Sequence, residues 1–562
     1  MYIPLNVNTH YSLMRGYGKP EFLLKECANY GYKTCAIADY DVLSGSVDFY
    51  KEAIKNNVKP IIGTKIKIVN GPNSGYVTLY AMNLNGWKRL VNLSSISYLN
   101  PEPCLLINQI LDEKDIIAVT GDYDSLSDPL SVDLLKESYK ERFFFGITKH
   151  NQNFIPDNVK TIYFNPVMYV HPQDKNQQLL LYSSDLGIKA SEWASEQDTI
   201  FKRYYDNRFD LHSPLDIEEL NLDSLKEIDD MCEPYSLLGK PNLPKYMCPN
   251  DLTEAEYLLE LSREGWKKRF SGKKLPNQKE YVDRIQKELG VIQKAGLEGY
   301  FLIVQNYVNW ARERMLVGPG RGSAAGSLLS YLLGITNVDP IPYNLVFERF
   351  YNDGRNTVDK IAFPDIDVDF PPNRREEVIE HTRDLVGRDR SCQVVTFSSL
   401  QGRGALKEVL RVFNVCDNKK MDEVTKRLPP PDKISDKMEE DKEKSVIRWT
   451  LKNEPKSLQD YCSLNDDGSL TGQYAKYFED AIAIESTYKS YGKHASALVV
   501  SGTKLIETCP MIREKNGNEL IGGLEFTKLE EMGLVKLDIL GLSALEKLES
   551  VKYLLKNGTL NE

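Results

Sequence analysis

Short apolar runs separated by helical stretches set the rhythm of the first 235 residues. TCAIAD, VKPIIGTKIKIV, DIIAVTG, RFFFGI and KTIYFN read as strands, and PEFLLKECANYGY reads as a helix between them. Such alternation predicts an α/β domain with largely parallel strands. A proline-rich link, KPNLPKYMCPNDLT, closes that domain. Thr253 then opens a helix, TEAEYLLELSREGWKKRF, with apolar residues at helical spacing. Residues 277–316 predict a long helical region with one break near Gly296 to Gly299. A glycine-rich stretch at 318–326 follows, then a helix through Leu333, then a strand containing Asp365 to Asp369. Residues 376–389 and 400–414 predict helices. Between about 429 and 472 the sequence becomes proline-led and charge-dense (PPPDKISDKMEEDKEKS), the composition of a solvated insertion or mobile segment. Helix returns at 474–489, and 494–540 alternates again as strands. No internal repeat is visible.

The length of 562 residues exceeds one ordinary core, and ~150 residues per domain predicts three or four. With no run of ~18 apolar residues, no membrane span is expected. The start, MYIPLNVNTHYSL, lacks the basic and apolar regions of a signal peptide. Nine scattered cysteines without a CxxC pair point to reduced thiols in a cytoplasmic compartment. The net charge of −10 would not by itself suggest a nucleic-acid partner. One domain can nevertheless be acidic while a groove elsewhere is basic. Lys267-Lys268-Arg269 and Lys273-Lys274 are such local clusters. The motifs must therefore carry the case.

Gly318-Pro319-Gly320-Arg321-Gly322-Ser323-Ala324-Ala325-Gly326 precedes the helix SLLSYLLG. Glycines let a backbone approach an anion closely, a helix N-terminus adds partial positive charge, and Arg321 offers a forked donor suited to phosphate. A tight turn with close helix packing is the equally weighted alternative. The loop is neither a Walker A motif nor a dinucleotide fingerprint.

Pro364-Asp365-Ile366-Asp367-Val368-Asp369-Phe370 is the most informative stretch. On a strand, alternate residues share a face, so the three aspartates lie on one side and the three apolar residues on the other. Crowded carboxylates repel unless cations neutralise them. Two divalent ions ~3.5–4 Å apart would do so, and oxygen-only ligands suit Mg²⁺. An exposed acidic edge strand is the bland reading. Leu534-Val535-Lys536-Leu537-Asp538-Ile539-Leu540 has the same alternation, which makes Asp538 a candidate third ligand, although a lone surface carboxylate is at least as common.

In order along the chain stand GPGRGSAAGSLLSYLLGIT, FERF (347–350), FPDIDVDF (363–370), GKHAS (492–496) and EEMGLVKLDILGL (530–542). Together they resemble the palm of the C-family polymerases, the bacterial DNA polymerase III alpha subunits, over roughly 240–562. The resemblance implies a nucleotidyltransferase palm in which Asp365, Asp367 and Asp538 bind two Mg²⁺ ions and are catalytic, while Asp369 is structural. It places Gly320, Arg321, Gly322 and Ser323 against the incoming triphosphate, with Arg349 of FERF helping to bind it. Lys493, His494 and Lys536 match basic palm positions near nucleotide or primer, a buried structural histidine being the alternative for His494.

Residues 1–235 resemble the PHP domain that opens these polymerases, with departures. The family reads HxHTxYSLLDG where this chain has Asn6 and Asn8 in place of both histidines. TDHG becomes Ala38-Asp39-Tyr40-Asp41, and NDVHY becomes Asn165-Pro166-Val167-Met168-Tyr169. Asparagine is a weak ligand and methionine too soft for a hard cation. Of the ligands that can be placed, only Asp39 survives, and His10 and His150 read as structural. The PHP-like domain is thus expected to be metal-free.

The expected architecture is α/β and multidomain: a PHP-like distorted (β/α) barrel at 1–235, then a mixed-sheet palm at 236–391 and 494–562, with a helical thumb inserted at 392–493. The resemblance implies primer-template DNA and a deoxynucleoside triphosphate as partners. It also implies fingers and clamp-binding regions beyond residue 562, on a longer chain or a second polypeptide, and a sliding clamp reached through them. Without these the chain is expected to extend a primer poorly. The competing expectations are a PHP-type phosphoesterase or exonuclease, and a non-catalytic replisome component.

Overall fold

The apolar runs of the N-terminal region become a seven-stranded sheet in the structure, a computed structural model that describes residues 2–148, 151, 155–211, 222–275, 277–352, 354 and 363–557. His150 lies outside the described residues. The strands are β1 (Thr34–Tyr40), β2 (Lys59–Asn70), β3 (Asn73–Ala81), β4 (Leu105–Leu106), β5 (Ile116–Thr120), β6 (Phe143–Ile147) and β7 (Thr161–Tyr163). Their order is β1-β2-β3-β5-β6-β7, with β4 against β2. The β1–β2, β2–β4, β5–β6 and β6–β7 pairings are parallel, whereas β2–β3 and β3–β5 are antiparallel. The sheet is thus mostly parallel, and the antiparallel β2–β3 pairing has a local cause. Asn70 pairs with Asn73 across Gly71-Pro72, and Gly71 supplies the positive φ of +60° that a two-residue turn requires.

Residues 396–492 group with 1–235 into one unit, and 236–395 group with 493–562 into a second. Two of the three boundaries, at 395/396 and 492/493, fall inside long strands, Ser391–Ser399 and Tyr488–Val500. The stretch read as solvated, 429–472, is a correction. It forms helices Ser435–Glu440, Val446–Asn453 and Pro455–Leu458 and a small hairpin of Ser463–Leu464 with Leu470–Thr471. Ile434, Val446, Ile447, Trp449, Leu451, Leu458 and Tyr461 are buried. Its charges occupy the outward faces of short amphipathic elements. Glu485, itself buried, anchors the segment by accepting hydrogen bonds from the Val446 amide at 3.2 Å and the Ser445 hydroxyl. Burial pushes its carboxyl up to about 7 in spite of those bonds.

In the second unit, Thr253 caps helix Glu254–Phe270 in a reciprocal box with Glu256. Helix Gln278–Ala295 ends at Gly296, in the left-handed conformation (φ +66°), and helix Glu298–Arg312 follows. Helix Glu298–Arg312 carries Phe301, Val304, Tyr307, Val308 and Ala311 into a core shared with Ile366, Val368, Phe370, Leu537 and Ile539. The sheet there comprises β8 (Val368–Phe370), β9 (Ser391–Ser399), β10 (Tyr488–Val500), β11 (Met511–Arg513), β12 (Leu520–Gly522) and β13 (Val535–Gly541), in the order β11-β12-β9-β10-β13-β8. It is mixed: β13 runs parallel to β8 and antiparallel to β10.

An ionic cluster stabilises the first unit. Glu408 accepts from Lys489 Nζ at 2.6 Å, Arg411 at 2.6 Å and Ser184 at 2.5 Å. Burial alone would raise its carboxyl, but these three donors outweigh it and hold the group down at about 2. A depressed acid stabilises the fold above its unfolded pKa of about 4.5, and the contribution is lost as pH falls towards 2. Glu408→Gln should therefore cost about 1–3 kcal/mol at pH 7. The gap from wild type should shrink steadily between pH 5 and pH 3. Thermal unfolding across that range, monitored for the first unit's transition, checks both the size and the sign.

Candidate metal centre

β8 starts only at Val368, so Asp365 and Asp367 lie in the extended run before it rather than in a paired strand. That run is fixed from beneath. Ile366 and Val368 are buried, and Tyr300 donates its hydroxyl to the Pro364 carbonyl at 2.9 Å. β13 pairs in parallel with β8, Ile539 opposite Val368 and Leu540 opposite Asp369. One step back in the same register, Asp538 comes beside Asp367. Carboxylate oxygens of Asp365, Asp367 and Asp538 lie within 4.8 Å of one another, the one such group among the described residues.

Asp369 does not join them. It is buried, and its carboxylate faces Arg321 at 3.6 Å, while the same guanidinium reaches Asp367 at 3.7 Å. On the other side Lys536 Nζ sits 2.9 Å from Asp538 Oδ2 and 4.3 Å from the centre of the Phe526 ring. Four carboxylates therefore face two cations, a local excess of two negative charges. Asp365 is raised above the usual carboxylate range by burial and then by Asp538; Asp367 is raised by burial and then by Asp365. An all-oxygen set with two uncompensated charges fits a hard divalent cation.

The glycine-rich loop borders this cluster. A Cβ on Gly322 would stand 3.8 Å from Asp367 Oδ2, and the Gly318 amide donates to the Asp369 carbonyl at 2.9 Å. Gly320 and Gly322 have φ of +102° and +63°, conformations that favour glycine. Arg312 fastens the loop from behind, its guanidinium donating to the carbonyls of Gly318, Gly334 and Ile335 at 3.0–3.2 Å. Ser323 lies in a 3₁₀ turn, Gly322–Gly326.

Among the described residues, no long helix N-terminus faces this loop, contrary to the sequence expectation. The α-helix after the 3₁₀ turn is only Leu328–Leu332, and its first amides are already taken. Glu288, fully buried, accepts from the Leu328 and Leu329 amides at 3.0 and 2.9 Å and from the Ser327 hydroxyl at 2.8 Å.

The remaining candidates divide. His494 turns Nδ1 to the Ser496 and Ala497 amides at 3.3 and 3.1 Å, which makes it an acceptor there and leaves Nε2 as the N–H. Burial and then Lys536 hold it below the usual imidazole range. It is therefore a neutral donor at neutral pH rather than a basic group. Lys493 points to an acidic pair, Glu514 at 3.4 Å and Glu519 at 3.8 Å, and not to the aspartates. Arg349 is exposed on the short helix Phe347–Phe350, whose two phenylalanines are buried. Tyr300, Arg312, Glu288 and Phe526 were not singled out in the sequence. Glu288 alone left a signal there, because it interrupts the apolar face formed by Tyr281, Ile285 and Ile292.

Residues 256–541, half of the chain, match the family described as the bacterial DNA polymerase III alpha NTPase domain. The chain belongs to the bacterial DNA polymerase III alpha family. Residues 4–158 of this alpha-family chain also match the PHP domain. DNA polymerase III subunit alpha of Aquifex aeolicus is 28% identical, over 99% of this chain and 52% of that protein. Those of Buchnera aphidicola and Caulobacter vibrioides are each 29% identical, over 97% and 99% of this chain and 48% and 50% of theirs. The chain thus spans about half the length of the curated relatives it matches. No described helix is long and apolar enough to cross a membrane, and all nine cysteines are free.

The crowding of the alpha-family carboxylates has a stability consequence. An acid raised by burial and like charge favours the fold at low pH, and that contribution is lost as pH rises through its folded pKa. At neutral pH Asp365 and Asp367 therefore work against folding unless a cation is bound. Asp365→Asn should raise the unfolding midpoint of the second unit in chelator by the equivalent of about 0.5–1 kcal/mol, solvent screening included. The gain should vanish in millimolar Mg²⁺. Differential scanning calorimetry with and without the ion checks it.

Proposed function

We propose that this chain carries the nucleotidyl-transfer site of a DNA-directed DNA polymerase, acting on primer-template DNA and a deoxynucleoside triphosphate. The observation that carries the reading is the convergence of Asp365, Asp367 and Asp538 beside a glycine-rich loop. Asp365, Asp367 and Asp538 would hold two Mg²⁺ ions. When bound there, the ions supply Lewis-acid polarisation of the primer 3′-hydroxyl and of the phosphate oxygens.

The chain's own groups do the rest. The backbone of Gly320, Gly322 and Ser323 lets a triphosphate approach without side-chain obstruction, and Arg321 offers it a forked donor. His494 offers its Nε2 proton as a neutral hydrogen-bond donor, and Lys536, steadied on the Phe526 ring, supplies positive charge where pyrophosphate charge develops. Arg349 is assigned to the same triphosphate from the exposed FERF helix. Lys493, engaged with Glu514 and Glu519, is the weakest member of the set. Residues 396–492 take the part of a thumb in this reading. Because the curated relatives are about twice as long as the matched part, the reading extends to fingers and clamp-binding regions outside it, in the same or another polypeptide.

Nucleotide binding tests the site without requiring those regions. Calorimetry should find binding of a deoxynucleoside triphosphate that depends on Mg²⁺. Affinity should fall about 10–100-fold in Asp365→Asn/Asp367→Asn. Binding that survives both chelation and the double substitution rejects the reading in favour of a non-catalytic role.

A further inference from the structure

The PHP match implies a metal-binding cleft in the first unit, and the residues present do not fit one. Asp39, the surviving acidic ligand, is used up internally. Its Oδ1 accepts from the Thr9 amide at 2.6 Å and the Ser12 hydroxyl at 2.7 Å, and its Oδ2 accepts from the Thr9 hydroxyl at 2.7 Å. A carboxylate so engaged has little left to offer a cation.

A cation is nevertheless present in the cleft, and it belongs to the chain. Lys65, on β2 opposite Tyr40 of β1, is 1% exposed. Its Nζ lies 2.7 Å from Asp122 Oδ2, 3.2 Å from the Tyr40 hydroxyl and 4.3 Å from the centre of the Tyr40 ring. Asn6 donates its amide to the same Asp122 oxygen at 2.8 Å, and Asn8 donates to Asn6 Oδ1 at 3.3 Å, which fixes the orientation of that amide. Asn6, Asn8 and Tyr40 are the positions at which the PHP resemblance expects histidine ligands. One ammonium thus sits among the side chains that replaced them, paired with a carboxylate.

We infer that the first unit has exchanged the metal of the PHP cleft for the Lys65 ammonium, held by Asp122 and the Tyr40 hydroxyl while Asn6 donates to Asp122, and so keeps its fold without a metal. The substitutions belong together physically. Histidine to asparagine and tyrosine removes metal affinity, and it installs the donor and acceptor that a buried lysine–aspartate pair needs to be satisfied. A buried ammonium of this kind is costly unless paired, so Asp122 and Lys65 are interdependent.

The test uses the full chain carrying Asp365→Asn/Asp367→Asn, so that the aspartate cluster contributes no metal. This parent should purify with substoichiometric zinc, manganese and iron, and chelator should leave its unfolding midpoint unchanged. Lys65→Met should lower the first unit's midpoint by roughly 6–15 °C by stranding Asp122. Adding Asp122→Asn should recover at least half of the loss. In Lys65→Ala, propylammonium should raise the midpoint where propanol does not. Stoichiometric metal in the parent overturns the inference, as does a Lys65→Met midpoint within about 2 °C of it. If Lys65→Met yields no soluble protein, recovery of soluble protein by Asp122→Asn supports the exchange, and if neither variant folds the parent's metal content decides.

Discussion

Repulsion among carboxylates is the constraint around which the second unit is arranged. Bringing Asp365, Asp367 and Asp538 within 4.8 Å costs free energy, and the surrounding structure must hold them against it. The holding is done mostly by apolar contacts on the opposite face. Ile366, Val368 and Phe370 from one run and Leu537 and Ile539 from the other enter a single core, so a carboxylate cannot retreat without pulling its neighbours out of it. Lys536 and Arg321 relieve part of the repulsion and leave a remainder of two charges. Strain kept at a site and offset by packing elsewhere is the expected pattern where function requires it.

The loop beside the aspartates is held by different means. Its glycines give it few side chains with which to pack, so polar groups fasten it: Arg312 ties the Gly318 carbonyl to those of Gly334 and Ile335, and Glu288 holds the amides that follow. Both anchors are charged residues on helices, and both are largely withdrawn from solvent. The arrangement keeps the loop rigid, with Gly320 packed closely on Thr336 and its ends held. A surface that receives an anion without reorganising has that requirement.

Local chemistry made much of this legible in the sequence, and non-local pairing hid the rest. Thr253, the Gly296 break and the strands DIIAVTG and RFFFGI announce themselves through caps, turns and apolar runs that act within a few residues. The approach of Asp538 to Asp367 depends on a parallel pairing between segments far apart in the chain, which no window of sequence reveals. The charge density of 429–472 conceals its buried face, because composition averages over both faces of a helix whereas burial depends on one. Asp369 looked equivalent to its neighbours by alternation alone. Arg321 distinguishes it, and nothing in the spacing indicates that contact.

The two units answer the same electrostatic problem in opposite ways, and the contrast bears on what each is for. In the first, Asp39 is engaged by the Thr9 and Ser12 donors, and Asp122 is matched by an internal ammonium. In the second, two built-in cations fall short of four carboxylates, which leaves negative charge for divalent cations to neutralise. A buried pair matched from within favours rigidity, because displacing either member strands its partner. An unbalanced cluster favours binding, because its folded state is improved by a ligand it does not contain. Decay of the first cluster into a self-contained network, beside retention of an unsatisfied second one, is what a chain would show if one unit had become a scaffold and the other still did chemistry.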